Sequence, residues 1–435
     1  MTLMAFASFE IWIMVIGALV CSACGILGCF LILKKLALMG DAISHAVLPG
    51  IVVAVMLSGS LNSIAIFVGA GIIGVLTPIL VDSLKSSRLI DEDAAIGSVF
   101  TFLFAIGVIM VANAGNIDLD TECVLYGEIA TTPFDTWVVG GTPYEFDGHT
   151  FMKGGTDIGP KSAWTLGIVL LINILFIFFF YKELKISTFD PALALSMGLK
   201  PKLIHYLLMF FVAITTIASF EAVGAIIVVA MFIAPGASAY LLTDRLSLMI
   251  FLSGIVGAAS SVLGYMLALA LGGDVSIAGC MAVAAGGIFA MCFFFSPKYG
   301  VVVRFARRYK LKKRFHAENA LVNMYRTHEL GERCLVKNYR HNVIVRFIQQ
   351  NILTEKDGEL HLTEFGTEKA QNLMRAHRLW EAYIHKLGLP EDHVHQPADE
   401  MEHYLTNDLC TEIAQELKNP QSDPHGKPIP TKPAL

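Results

Sequence analysis

The stretch "ACGILGCFLILKKLALMGDAISHAVLPGIVVAVML", residues 23–57, decides how this chain is read. Long apolar runs flank Lys34-Lys35, and the second run begins with two ionisable residues, Asp41 and His45. A hydrocarbon core takes about 20 apolar residues per helix, so the stretch reads as two membrane spans joined by a short basic link. Worked outward, the same criterion gives candidate spans at 10–33, 46–60, 63–82, 94–112, 164–181, 204–220, 222–242, 246–271 and 276–296. The second is short and no loop is evident within 204–242, so eight or nine spans are expected. Lys34/Lys35, Lys85/Arg88, Lys182/Lys185, Arg245 and Lys298 follow alternate spans, which places those ends in the cytoplasm.

Composition agrees. Of 435 residues, 55% are hydrophobic and 16% charged, with mean hydropathy +0.61, more apolar than a soluble domain. Most of the polarity follows residue 297, so the net charge of -5 averages two different parts. The expected fold is an all-α polytopic membrane bundle over 1–297, followed by a small, mostly helical α+β cytoplasmic domain. Its expected divisions are a basic juxtamembrane linker at 298–314, a folded domain at 315–417 and a Pro-rich disordered tail at 418–435. The N-terminus lacks a basic region and a small-residue cleavage motif, so the first span is read as retained. Cys21 and Cys24 form a CxxC inside an apolar run with no second pair, which reads as packing.

Asp41 and His45 stand four residues apart, on one helix face. An ionisable pair within a span is a functional candidate, because its desolvation must be offset. Carboxylate plus imidazole suits Mn²⁺, Fe²⁺ or Zn²⁺; the same pair also makes a plain hydrogen bond at a helix end, with Pro49 ending or kinking the helix. Glu221, near the sixth and seventh spans, reads as a further ligand or a turn residue. Asp190 and Pro191 supply an N-cap and first position for a short cytoplasmic helix, with Gly198 closing it. In the outer loop, Asp147-Gly148 is a hairpin signal. Seven of the eleven residues from Arg304 to Arg314 are Lys or Arg; such a run suits lipid headgroups or, alternatively, nucleic acid.

No GxxxxGK[ST] motif occurs, so this chain is expected to bind no nucleotide, and no catalytic residues are assigned. The C-terminal region gathers His377, Glu381, His385, His393, His395, Asp399, Glu402 and His403 into thirty residues. His377 and Glu381 are i,i+4 neighbours, and Asp399, Glu402 and His403 follow i, i+3, i+4, a spacing that on a helix gives one face with three ligands. Nitrogen and oxygen donors without a thiolate suit a first-row divalent ion; a solvated charged helix is the other reading.

"LKKLALMGDAISHAVLPGIVVA", "TFDPALALSMGL" and "FEAVGAIIVVAMFIAPGASAYLL" closely resemble the permeases of bacterial manganese/zinc/iron ABC importers, over about residues 10–297. The resemblance implies a plasma-membrane permease that dimerises with itself or a paralogue, cytoplasmic ATPase subunits and an extracytoplasmic protein that delivers the ion. It matches Asp41 and His45 to the family's metal-coordinating pair, and 189–198, with Phe189, Asp190, Pro191 and Gly198, to the helix that docks on the ATPase. The outer loop at 139–163 is longer than usual. "LTEFGTEKAQNLMRAHRLWEAYI" and "VHQPADEMEHYL" are similar to metal-dependent regulators of the diphtheria-toxin-repressor type. That likeness implies one metal site at His377, Glu381 and His395 and another at Asp399, Glu402 and His403. Asp399 stands where some relatives carry cysteine, which tilts the ion toward Mn²⁺. A helix at 338–350 and a "KDGELHL" wing make a short winged helix, so contact with DNA is the less supported part. The functional expectation is a divalent-metal importer permease with a fused metal-sensing domain; the alternative is a membrane-tethered metal-responsive transcriptional regulator.

Overall fold

In the computed structural model the described residues are 2–58, 63–86, 90–113, 129–139, 142–146, 149–153, 156–272 and 275–431. Contacts divide the chain into Met1–Arg304 and Phe305–Leu435.

The first helix, α1 (Thr2–Leu33), stops at the two lysines and the chain restarts almost at once as α2 (Ala37–Ala46). The link is a Schellman turn: Leu36 N–H donates to Leu31 O at 2.8 Å, Lys35 N–H to Ile32 O at 3.0 Å, and Lys35 takes φ 61°. The helix therefore resumes at Ala37, and the second span is Ala37–Ser58 rather than 46–60. The break inside it falls at Val47, between α2 and α3 (Leu48–Ser58). Pro49 sits in the first turn of α3, where its missing N–H leaves no orphan.

Next come α4 (Ser63–Ser86) and α5 (Glu92–Asn113). Strand β1 (Thr136–Val139) pairs antiparallel with β4 (Thr156–Pro160), and β2 (Thr142–Phe146) with β3 (His149–Lys153). The β2–β3 register brings Phe146 opposite His149, as a hairpin at this point requires; Asp147 and Gly148 themselves lie outside the described residues. After α6 (Lys161–Phe179), α7 (Tyr181–Phe189) and α8 (Pro191–Ser196), the bundle is completed by α9 (Pro201–Val223), α10 (Ala225–Leu242), α11 (Leu246–Leu271) and α12 (Ile277–Phe295).

Among the described residues eight helices are long and apolar enough to span, and Ile227–Leu242 is a shorter apolar helix. Gly224, at φ 74°, separates that helix from α9. Small residues set the packing around α1. A Cβ on Gly28 would lie 1.9 Å from Phe232 O, and one on Gly257 would lie 2.6 Å from Cys21 O, so α1 meets α10 and α11 backbone to backbone. Cys21 and Cys24 are buried, with their sulfurs against Met231 and Ser219 respectively.

The second unit is carried by α13 (Val301–Glu329), α14 (His341–Gln349), the hairpin β5 (Leu353–Lys356)–β6 (Glu359–Leu362), α15 (Glu364–Lys386), α16 (His395–Met401) and α17 (Asn407–Glu416). Between α13 and α14 stands a single 3₁₀ turn, Val336–Asn338. Residues 418–431, expected to be disordered, are folded. Arg378 donates to Pro428 O at 2.6 Å and Arg375 to Pro430 O at 2.8 Å, while Ile429 packs beside Leu379 and Ile413. The proline-rich composition hid this because the contacts that hold the segment to α15 are non-local.

Candidate metal sites

In the membrane unit, α2 brings Asp41 and His45 together, with Oδ1 to Nε2 at 3.4 Å. Counting 1.5 Å per residue from Ala37, they sit about 6 and 12 Å into the second span. Phe100 and Phe104 of α5 flank the imidazole, with ring centroids at 6.0 and 5.9 Å. Asp41 and His45 remain 37% and 24% exposed. Glu221 lies in the last turn of α9, and its side chain lies outside the described residues. After α7, Asp190 caps α8 by accepting from Leu193 N–H at 2.9 Å, Pro191 opens the helix, and Gly198 follows at φ 78°. Phe189, Leu193, Leu195 and Met197 are exposed there, an apolar surface on a short capped helix.

In the second unit, Thr363 caps α15 by accepting from Gly366 N–H at 3.0 Å. Three turns on, α15 presents His377 and Glu381, both buried, and α16 packs across it. His377 Nε2 lies 3.1 Å from Glu381 Oε1 and 3.1 Å from His395 Nδ1, and His395 Nδ1 is 2.7 Å from the same Glu381 oxygen. His377, Glu381 and His395 thus form one cluster of ligand atoms. On the other side of the ring, Nδ1 is 2.7 Å from Glu402 Oε2 and 3.4 Å from Asp399 Oδ1.

The second expected set is only partly gathered. Helix α16 ends at Met401, but Glu402 keeps helical backbone (φ −54°, ψ −28°) and its N–H donates to Ala398 O at 3.0 Å. Glu402 and Asp399 face His377, whereas His403 Nδ1 pairs with Glu318 Oε2 of α13 at 2.9 Å. His403 Nε2 lies 3.8 Å from Glu402 Oε1 and is buried with no hydrogen-bond partner. A ring held by a carboxylate on one nitrogen, with the other left free, is the form in which histidine ligates metal. Together with a donor set of imidazoles and carboxylates, this orphaned nitrogen fits a divalent ion. Glu318 escaped the sequence reading although it is the one acid between Lys298 and His328. Arg326, also of α13, stands 3.2 Å from His377 Nε2 and 3.7 Å from Asp399.

Burial pushes the His377 pKa down, but the hydrogen bonds it donates to the Glu381 and Glu402 carboxylates outweigh that and hold the ring up to about 9. Burial likewise opposes ionisation of Glu381, and its contacts with His377 and His395 overcome that, bringing it down to about 2. Glu318 is lowered too: His403 and Arg314 outweigh its burial. Because ligands bind metal unprotonated, an ion here displaces the His377 proton. Divalent-ion affinity is therefore expected to fall about tenfold per pH unit below pH 9. Mn²⁺ titrations of the full chain followed by the electron paramagnetic resonance of free Mn²⁺ measure this; a flat profile between pH 6.5 and 9 would remove His377 from the ligand set.

Residues 7–139 and 156–296 match the ABC 3 transport family. Residues 363–431 match the metal binding and dimerisation domain of iron dependent repressors. The manganese transport system membrane protein MntD of Bacillus subtilis is 47% identical over 307 residues, covering 70% of this chain and 98% of that protein. The zinc transport system membrane protein TroD of Treponema pallidum is 43% identical over 293 residues, with 67% of this chain and 75% of that protein covered. Among solved structures, PsaBC from Streptococcus pneumoniae in complex with Fab aligns with a TM-score of 0.55 at 32% identity, over 70% of this chain and 95% of that chain.

Proposed function

Because the chain belongs to the ABC 3 transport family, we propose that its membrane unit is the permease through which an ATP-driven importer moves Mn²⁺, and that its second unit senses the same ion in the cytoplasm. The observation that carries this reading is the pairing of Asp41 with His45 at 3.4 Å inside a membrane span, in a chain whose second unit gathers imidazoles and carboxylates. Two ligands are few for storage but suit a path, where the ion must also leave. The chain is a transporter subunit rather than an enzyme, and hydrolysis of ATP falls to a separate cytoplasmic subunit docking on the apolar face of α8. A second permease copy or paralogue completes the pore, and an extracytoplasmic metal-binding protein delivers the ion, with the 139–163 segment facing it. The basic start of α13 lies at lipid headgroups. Oxygen-rich ligation by Asp399, Glu402, Glu381 and Glu318 favours Mn²⁺ over Fe²⁺ and Zn²⁺.

The second unit feeds cytosolic metal back on transport, since an ion that favours one conformation biases any state coupled to it. Transport control is preferred to operator binding because, between Glu329 at the end of α13 and His341 at the start of α14, the one helical element is the 3₁₀ turn Val336–Asn338. In proteoliposomes carrying the permease and its ATPase, radioactive Mn²⁺ uptake should slow as Mn²⁺ on the ATPase side rises. Deletion of 305–435 should abolish that slowing. Uptake of the truncated chain that remains equally sensitive sinks the feedback reading, and failure of the intact chain to import Mn²⁺ sinks the transport reading.

A further inference from the structure

Residues 421–429 form a small hairpin that the two metal sites do not account for. Gly426 N–H donates to Asp423 O at 3.0 Å, with Pro424 and Gly426 at the second and fourth positions of the turn, where a type I turn favours them. Asp423 Oδ1 accepts from Lys427 N–H at 2.8 Å, Ile429 N–H donates to Gln421 O at 2.9 Å, and Ser422 bridges Pro428. Arg378, on the same turn of α15 as His377, donates to Pro428 O at 2.6 Å and pairs with Asp423 at 3.7 Å. The hairpin thus holds one side chain, His425, at its tip in a fixed place.

That place is against the first metal cluster. Glu381 Oε1 is engaged by His377 and His395, while Oε2 lies 3.9 Å from His425 Nδ1. The His425 and His395 rings stand edge to face with centroids 6.5 Å apart. Ligand atoms of Glu381, Asp423 and His425 fall within 4.8 Å of one another. Asp423 is already committed to Lys427 N–H and Arg378, so the imidazole is the free donor. Two ligands each roughly 2.1 Å from one ion stand roughly 3.0–3.5 Å apart, so for an ion that Glu381 holds through both carboxylate oxygens, about 1 Å of movement relative to Oε2 brings His425 into the shell.

We propose that His425 is a further ligand of the ion held by His377, Glu381 and His395, so that a bound divalent cation fastens the C-terminal hairpin onto α15. The proposal rests on the metal-sensing reading of that cluster. It makes the hairpin the part of the unit whose mobility reports metal: fastened when the ion is bound, held by the Arg375 and Arg378 contacts and the Ile429 packing when it is not.

The test uses the full chain in detergent with Mn²⁺ alone as probe, comparing wild type, His425→Ala and Glu381→Gln. In wild type, Mn²⁺ should slow amide hydrogen exchange across 419–431. His425→Ala should weaken Mn²⁺ binding at this cluster by at least the roughly tenfold seen when even an outer-shell partner is lost, and should abolish the metal-dependent slowing. His425 is 38% exposed, and equal metal-free exchange in the two proteins shows that the fold is intact. Wild-type affinity and slowing in His425→Ala, with Glu381→Gln impaired, overturns the proposal and leaves the cluster a metal site. Wild-type binding in Glu381→Gln overturns the site and the proposal together.

Discussion

Asp41→Ala should reduce Mn²⁺ import by at least about a hundredfold, equivalent to about 2.7 kcal/mol on the transport barrier. Asp41 supplies the only negative charge of the pair in the second span, and alone His45 offers one neutral nitrogen to an ion leaving water. In a low-dielectric path the lost carboxylate is not replaced by solvent at equal strength. Folding should be little affected. Asp41 is 37% exposed, its side chain meets His45 at 3.4 Å, and alanine is the best helix former available. The measurement is radioactive Mn²⁺ uptake into proteoliposomes with the partner ATPase, normalised to inserted permease, with basal ATP hydrolysis as the control for assembly. Import by Asp41→Ala at the wild-type rate takes the pair out of the ion's path. Asp41→Glu, which keeps the charge on a longer stem, should fall between the two.

The membrane bundle was legible because apolar length is a strong signal and lysines mark alternate ends. The start of the second span was not, for a specific reason. Helix stops are recognised by glycine at the left-handed position, and here Lys35 occupies it. The lysines therefore read as an interface of some length instead of a turn that closes within three residues, which set the span's start nine residues late. The gathering of the first candidate cluster was legible because His377 and Glu381 share a helix and His395 opens the next. The second was legible in its residues and, through Asp399 and Glu402, in part of its geometry, but His403 turns to Glu318 of α13, 85 residues away in sequence. Glu318 and His425 were not legible at all. Each meets the clusters across a separation of about 40 residues or more, Glu318 at 2.9 Å and His425 at 3.9 Å. Neither periodicity nor local composition reports such contacts.

Glu402→Gln should have the larger effect in the second unit, because Glu402 joins the two clusters. Its Oε2 holds His377 Nδ1 at 2.7 Å and its Oε1 lies 3.8 Å from His403 Nε2, the buried nitrogen without a partner. Glutamine keeps the volume and removes the charge, so packing around the site survives while the Asp399 side loses a carboxylate and the first cluster loses the carboxylate that holds His377. Mn²⁺ affinity of the full chain at pH 7.5 is expected to fall by about 10–100-fold or more. A second signature separates ligand loss from mere loosening. Glu402 is one of the two groups that hold His377 up to about 9, so its neutralisation lets burial lower that pKa. The proton that competes with the ion then leaves more readily, and the dependence of affinity on pH flattens between pH 6.5 and 9. A variant that only loosened the fold would bind more weakly with the slope unchanged. Glu381→Gln should flatten the slope in the same way but spare the His403 side. The double variant should lose less than the sum of the two, because both act through the one His377 ring. Strict additivity would mean that the clusters are independent sites and that Glu402 does not join them.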